Sequence, residues 1–154
     1  MKNVLDSCIG FYGDRLVSLA VFGSVGRGTP RPDSDIDLLI VAENLPRGRI
    51  SRVREFGTAE GTFKTLEMAR PGGRGQPDLS PVIKSPEEAK MGSPLFLDMT
   101  EDATILFDRA GFLLGLLQQF KERLRALGSK RIWKGSAWYW DLKPDYKPGE
   151  VFEL

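Results

Sequence analysis

A glycine–serine pair ends one apolar run, and an aspartate–apolar–aspartate triplet opens the next. No other feature constrains the chain as much. The residues are Val21-Phe22-Gly23-Ser24, then 25 to 34, then Asp35-Ile36-Asp37-Leu38. In a β-strand, side chains i and i+2 share a face. Asp35 and Asp37 therefore project together, while Ile36 and Leu38 turn the other way into a core. Two carboxylates side by side repel and raise each other's pKa unless a cation lies between them. An all-oxygen pair suits Mg²⁺, which takes one or two carboxylates plus substrate phosphates. The glycine–serine pair complements it with a tight turn whose backbone N–H groups and hydroxyl can hold phosphate.

The sequence contains no histidine. That removes Ser-His-Asp and Cys-His catalysis and His-ligated zinc. What remains is the chemistry of carboxylates, cations, hydroxyls and a metal, which is the chemistry of phosphoryl and nucleotidyl transfer. The single cysteine, Cys8, excludes an internal disulfide and suits a reducing compartment. Lying among apolar residues, Cys8 reads as a buried structural thiol. Residues 1–6 lack the apolar core of a signal peptide, and no run approaches the ~20 apolar residues of a membrane span. The expected location is the cytoplasm, with no membrane partner. A net charge of +1 gives no field to recruit nucleic acid, so nucleic acid is not an expected partner.

At 154 residues, 41% of them hydrophobic, the chain can bury one core. Residues 1–12 carry Val4, Leu5, Cys8, Ile9 and Tyr12 at helical spacing. Strands are expected over Leu16–Phe22 and Ile36–Ala42, joined by a turn and a proline-rich loop in which Asp33 is a loop or capping residue. A helix is expected from about residue 50 to 69, weakened by Gly57 and Gly61. A loop over 71–77 leads to a strand over Leu79–Lys84, where Pro81 argues for a sheet edge. Ser85-Pro86-Glu87-Glu88 starts a helix: cap, proline at the first position, acids in the first turn. A loop or helical turn around 94–102, a strand over Ala103–Phe107 and a helix over Gly111–Leu127 follow, with Gly128 as its C-terminal stop.

The domain is taken as 1–128, with 129–154 as an aromatic and basic extension packed on it. The extension holds all three tryptophans, Trp133, Trp138 and Trp140, among Lys130, Arg131 and Lys134. Such interleaving can stack a base. Pro144, Pro148 and Gly149 argue instead for an extended wrap whose rings pack inward.

The string Val21-Phe22-Gly23-Ser24-Val25-Gly26-Arg27-Gly28 followed by Asp33-Ser34-Asp35-Ile36-Asp37-Leu38-Leu39-Ile40 resembles the signature of the DNA polymerase beta-like nucleotidyltransferases. It is most similar to the small stand-alone minimal branch. The resemblance implies an α/β fold: a mixed sheet of about four to five strands with helices mainly on one face. It implies transfer of a nucleoside monophosphate, expected to be AMP from ATP, to an acceptor hydroxyl, with two Mg²⁺ ions and release of pyrophosphate. In the minimal branch the acceptor is a tyrosine of a small helical HEPN-type partner, and the enzyme is the antitoxin of a toxin–antitoxin pair.

Metal ligands are then Asp35 and Asp37. A third acid, on a neighbouring strand in the family, falls best on Asp78, with Glu67, Asp98 and Asp102 weaker. Unlike the family pattern, Asp78 follows a proline at the strand's edge. Gly23 and Ser24 would meet the β- or γ-phosphate, and Arg27, a planar fork one turn on, the triphosphate. Arg31 is less favoured, since prolines flank it. Two alternatives stay open: a catalytically degenerate module that masks a partner protein, and an antibiotic-type transferase acting on a small molecule.

Overall fold

The computed structural model describes residues 1–31, 34–57 and 78–153. Asp33, Gly61, Glu67, the expected helix beyond residue 57 and the expected loop over 71–77 lie outside the described residues. β1 (Leu16–Phe22) and β2 (Ile36–Ala42) form where the apolar runs place them. They pair antiparallel at the centre of the sheet, with Phe22 opposite Asp37. β3 (Leu79–Lys84) runs parallel to β2 on one edge, and β4 (Thr104–Asp108) antiparallel to β1 on the other, giving the order β3-β2-β1-β4. Pro81, which cannot donate to a ladder, sits on that edge strand as its chemistry requires.

Strand alternation divides the core into two layers. Ile36, Leu38, Ile40 and Ala42 pack with Val4, Cys8 and Tyr12 of α1 (Lys2–Tyr12), and with Phe56 of α3, which spans described residues 49–57. Leu39 and Val41 face the opposite layer. That layer holds Ala89 of α4 (Pro86–Lys90), Phe96 and Met99 of α5 (Leu95–Asp102), and Leu113, Leu117, Phe120 and Leu124 of α6 (Phe112–Ala126). Helices thus cover both faces of the four-stranded mixed sheet rather than mainly one. Phe96 and Phe120 meet edge to face at 6.2 Å, a geometry that adds about 0.5–1.5 kcal/mol beyond area burial. Burial pushes the Cys8 thiol up to about 12, so it stays protonated, as the structural reading expects.

Helix ends follow side-chain chemistry. The Ser85 hydroxyl accepts from Glu88 N while the Glu88 carboxylate accepts from Ser85 N, a reciprocal capping box. α6 has glycine at its cap, and its first amides are met from a distance. Asp108 accepts from Leu113 N at 2.9 Å and Leu114 N at 3.0 Å, and also from the fully buried Ser18 hydroxyl at 2.7 Å. Gly128, at φ 70°, ends the helix as expected, with Ser129 N donating to Leu124 O.

The aromatic extension is not an extended wrap. β5 (Lys130–Lys134) and β6 (Ala137–Asp141) form an antiparallel hairpin in which Trp133 faces Trp138. Gly135-Ser136 is its turn, with Gly135 at φ 63°. Pro144, Pro148 and Gly149, which suggested the wrap, all lie beyond the hairpin.

Candidate active site

The site begins where β1 stops. Gly23 takes φ 66°, a left-handed conformation that glycine adopts without a Cβ penalty. A Cβ there would lie 2.0 Å from Asp37 Oδ2, so the turn backbone rests directly against that carboxylate. α2 (Gly23–Gly26) follows, and Thr29 N donating to Ser24 O folds the chain back. Gly26 permits a second close approach: its Cβ would lie 2.4 Å from the Asp102 carbonyl oxygen at the end of α5.

Asp35 immediately precedes β2 and Asp37 is its second residue, between Ile36 and Leu38, which pack into the core. Asp35 is exposed and Asp37 half-buried. Burial first, and the charge of Asp35 second, raise the Asp37 carboxyl above the ordinary carboxylate range; Arg27 and a hydrogen bond with Ser80 oppose this.

The parallel register sets Ser80 beside Asp37. Asp78 immediately precedes β3, two residues before Ser80, and its carbonyl accepts from Ile36 N at 2.9 Å. Its carboxylate does not close a cluster with the pair. Among the described residues, no three acids, cysteines or histidines gather to hold a metal ion. The sequence reading missed Ser80. A serine in a strand carries no signal, and only the register shows what faces Asp37.

Arg27 meets an acid and an indole. Its guanidinium lies 3.6 Å from Asp102 Oδ2 and 4.5 Å from the ring centre of Trp138. Asp102 is also held by Arg131 in a two-pronged bond of 3.0 and 2.7 Å. Asp98 Oδ1 accepts both indole N–H groups, from Trp138 at 2.7 Å and Trp140 at 2.9 Å. Asp98 and Asp102, weaker candidates for a third acid, thus serve to dock the hairpin. A cavity of about 610 Å³ opens between the Gly-Ser turn and that hairpin, lined by Ser24, Arg27, Thr29, Arg31, Trp133 and Trp138 among others. It brings Ser24, Arg27 and the less favoured Arg31 together.

The geometry is that of nucleotidyl transfer, and the comparisons agree. The match to the nucleotidyltransferase domain family runs over residues 2–144. The chain belongs to that family. A Methanocaldococcus jannaschii protein, provisionally named a protein adenylyltransferase, is 31% identical over 133 residues, covering 82% of this chain and 85% of the relative. Two solved structures share the fold. One, a toxin–antitoxin with AMP-PNP, has a TM-score of 0.50 at 14% identity, covering 82% of this chain and 92% of the other. The second, a variant of the toxin–antitoxin MntA–HepT, has a TM-score of 0.50 at 15% identity, covering 83% and 92%.

The chain is therefore a nucleotidyltransferase with a mixed α/β fold. Its acid pair fits a divalent cation. Two carboxylates, Asp35 and Asp37, stand beside the Gly23 turn, whose backbone closely approaches Asp37, and such all-oxygen groups suit a hard divalent cation. Among the described residues, no helix is long and apolar enough to cross a membrane.

Proposed function

We propose that this nucleotidyltransferase moves AMP from ATP to a hydroxyl on a helical HEPN-type partner, acting as the antitoxin of a toxin–antitoxin pair. The observation that carries the reading is the contact of the Gly23 backbone with the Asp37 carboxylate. It supports the reading because a nucleoside triphosphate requires a backbone turn for its phosphates directly beside carboxylates for its metal. The Methanocaldococcus relative's name supports protein adenylylation. The toxin–antitoxin solved with AMP-PNP supports the adenine donor and the kind of partner.

Asp35 and Asp37 would hold Mg²⁺, which when bound lowers the pKa of the acceptor hydroxyl and neutralises charge on the leaving group. Ser24 and the Gly23 backbone hold the β- and γ-phosphates, with Arg27 on the same oxygens. The acceptor oxygen forms a bond to the α-phosphorus as the bond from that phosphorus to its bridging oxygen breaks, and pyrophosphate leaves. Asp78, immediately before β3, receives the hydroxyl proton.

Incubation with ATP labelled at the α- or the γ-phosphate, in the presence of a HEPN-type protein and Mg²⁺, tests the proposal. Transfer of α-label alone to the partner, abolished by D35N or D37N and by a chelator, is the expected result. Transfer of γ-label, or stable binding with no transfer of either label, would overturn it.

A further inference from the structure

We infer that Trp138, on the C-terminal hairpin, is a positioning residue that holds Arg27 ready for the triphosphate; the inference rests on the proposed nucleotide site. Arg27 is a long side chain that loses considerable rotamer entropy when fixed. At 3.6 Å from Asp102 Oδ2 its contact is ionic and outside hydrogen-bond distance, while Arg131 holds both Asp102 oxygens more closely. Asp102 therefore does not define the orientation of Arg27. The indole of Trp138 does: the guanidinium carbon lies over its ring, 4.5 Å from the centre. Arg27 and Trp138 together line the cavity that Ser24 and Arg31 also line.

The indole is itself fixed on several sides. Asp98 accepts its N–H at 2.7 Å. Arg131 lies 4.3 Å from its ring centre, and Trp133 packs at 5.0 Å across the strand pair. Arg131 is tied to Asp102 at the end of α5, where the Gly26 turn also rests. Hairpin and phosphate turn thus share one anchor, and the stack spans from one to the other. Two guanidinium groups over one indole would repel. Asp102, within reach of both, offsets their charge.

The test is calorimetric titration of the full chain with tripolyphosphate, ATP and AMP. W138L is expected to lower affinity for tripolyphosphate and ATP about tenfold and to leave AMP within about twofold, with W138F, which keeps a ring but not the N–H to Asp98, recovering only part of the loss. In the R27A background, W138L should add less than about twofold, because the residue it positions is gone. D98A, which removes the acceptor of the indole N–H, is a second variant independent of the ring and should show the same triphosphate-selective loss. Parent-like tripolyphosphate binding by W138L and D98A, or full additivity with R27A, would overturn the inference. If S24A and R27A also bind tripolyphosphate as the parent does, the proposed nucleotide site is itself wrong. If those two lose binding while W138L and D98A keep it, only the positioning role fails.

Discussion

Gly23 and Asp37 touch so closely that a methyl group on residue 23 would lie 2.0 Å from Asp37 Oδ2. That approach places the phosphate turn on the acid pair. G23A is therefore expected to abolish transfer and Mg²⁺-dependent ATP binding, and to destabilise the fold by more than about 1 kcal/mol through its positive φ. G28A is the matched comparison. Gly28 also has positive φ, 73°, but nothing lies within 4 Å of its Cβ position. It should show the strain in a denaturant melt yet retain metal-dependent ATP binding.

Asp37 titrates above its ordinary range in the folded chain, chiefly through burial and then through Asp35. A group with a raised folded pKa contributes stability that is fully present below the unfolded value and lost as pH rises through the folded one. As pH rises, the metal-free folded chain must therefore either keep the Asp37 proton at a cost or carry an unfavourably placed charge. D37N should melt higher than the parent at pH 7 without metal, and the gain should vanish at low pH. Thermal melts across pH 3 to 8 with chelator check the sign. In activity assays the same variant should be inactive.

Asp78 immediately precedes β3, and among the described residues no three acids gather into a metal cluster. As the proposed recipient of the acceptor proton, it should matter to rate and not to nucleotide affinity. D78N is expected to lower kcat at least about tenfold while ATP affinity stays within about twofold. Single-turnover kinetics beside equilibrium ATP titration separate the two.

Glu88 closes the capping box of α4 and accepts from Arg52 at 2.6 and 3.0 Å. The Arg52 hydrogen bonds, followed by the backbone bond from Ser85, lower its carboxyl to about 2. Its stabilising contribution is present above the unfolded value near 4.5 and is lost as pH falls toward about 2. E88Q should cost about 0.5–2 kcal/mol at pH 7. The gap from the parent should close between pH 4.5 and 2 in chemical denaturation.

Local chemistry made much of this protein legible in its sequence. Strand alternation turns Asp35 and Asp37 to one face and Ile36 and Leu38 to the other, because side-chain direction in a strand depends only on position. The β1 and β2 boundaries, the Ser85 cap and the Gly128 stop depend on residues within a turn of one another. Tertiary structure alone decided what lies beside these elements. Register, not composition, sets Ser80 opposite Asp37. The Trp133–Trp138 pair forms because a two-residue turn folds the tail into a hairpin, where proline and glycine content had suggested a wrap. Asp98 and Asp102 bind that hairpin rather than metal, and Trp138 meets Arg27 from more than a hundred residues away in the chain. Such contacts arise from packing between elements, and no local propensity encodes which distant side chain will fill the space beside an arginine.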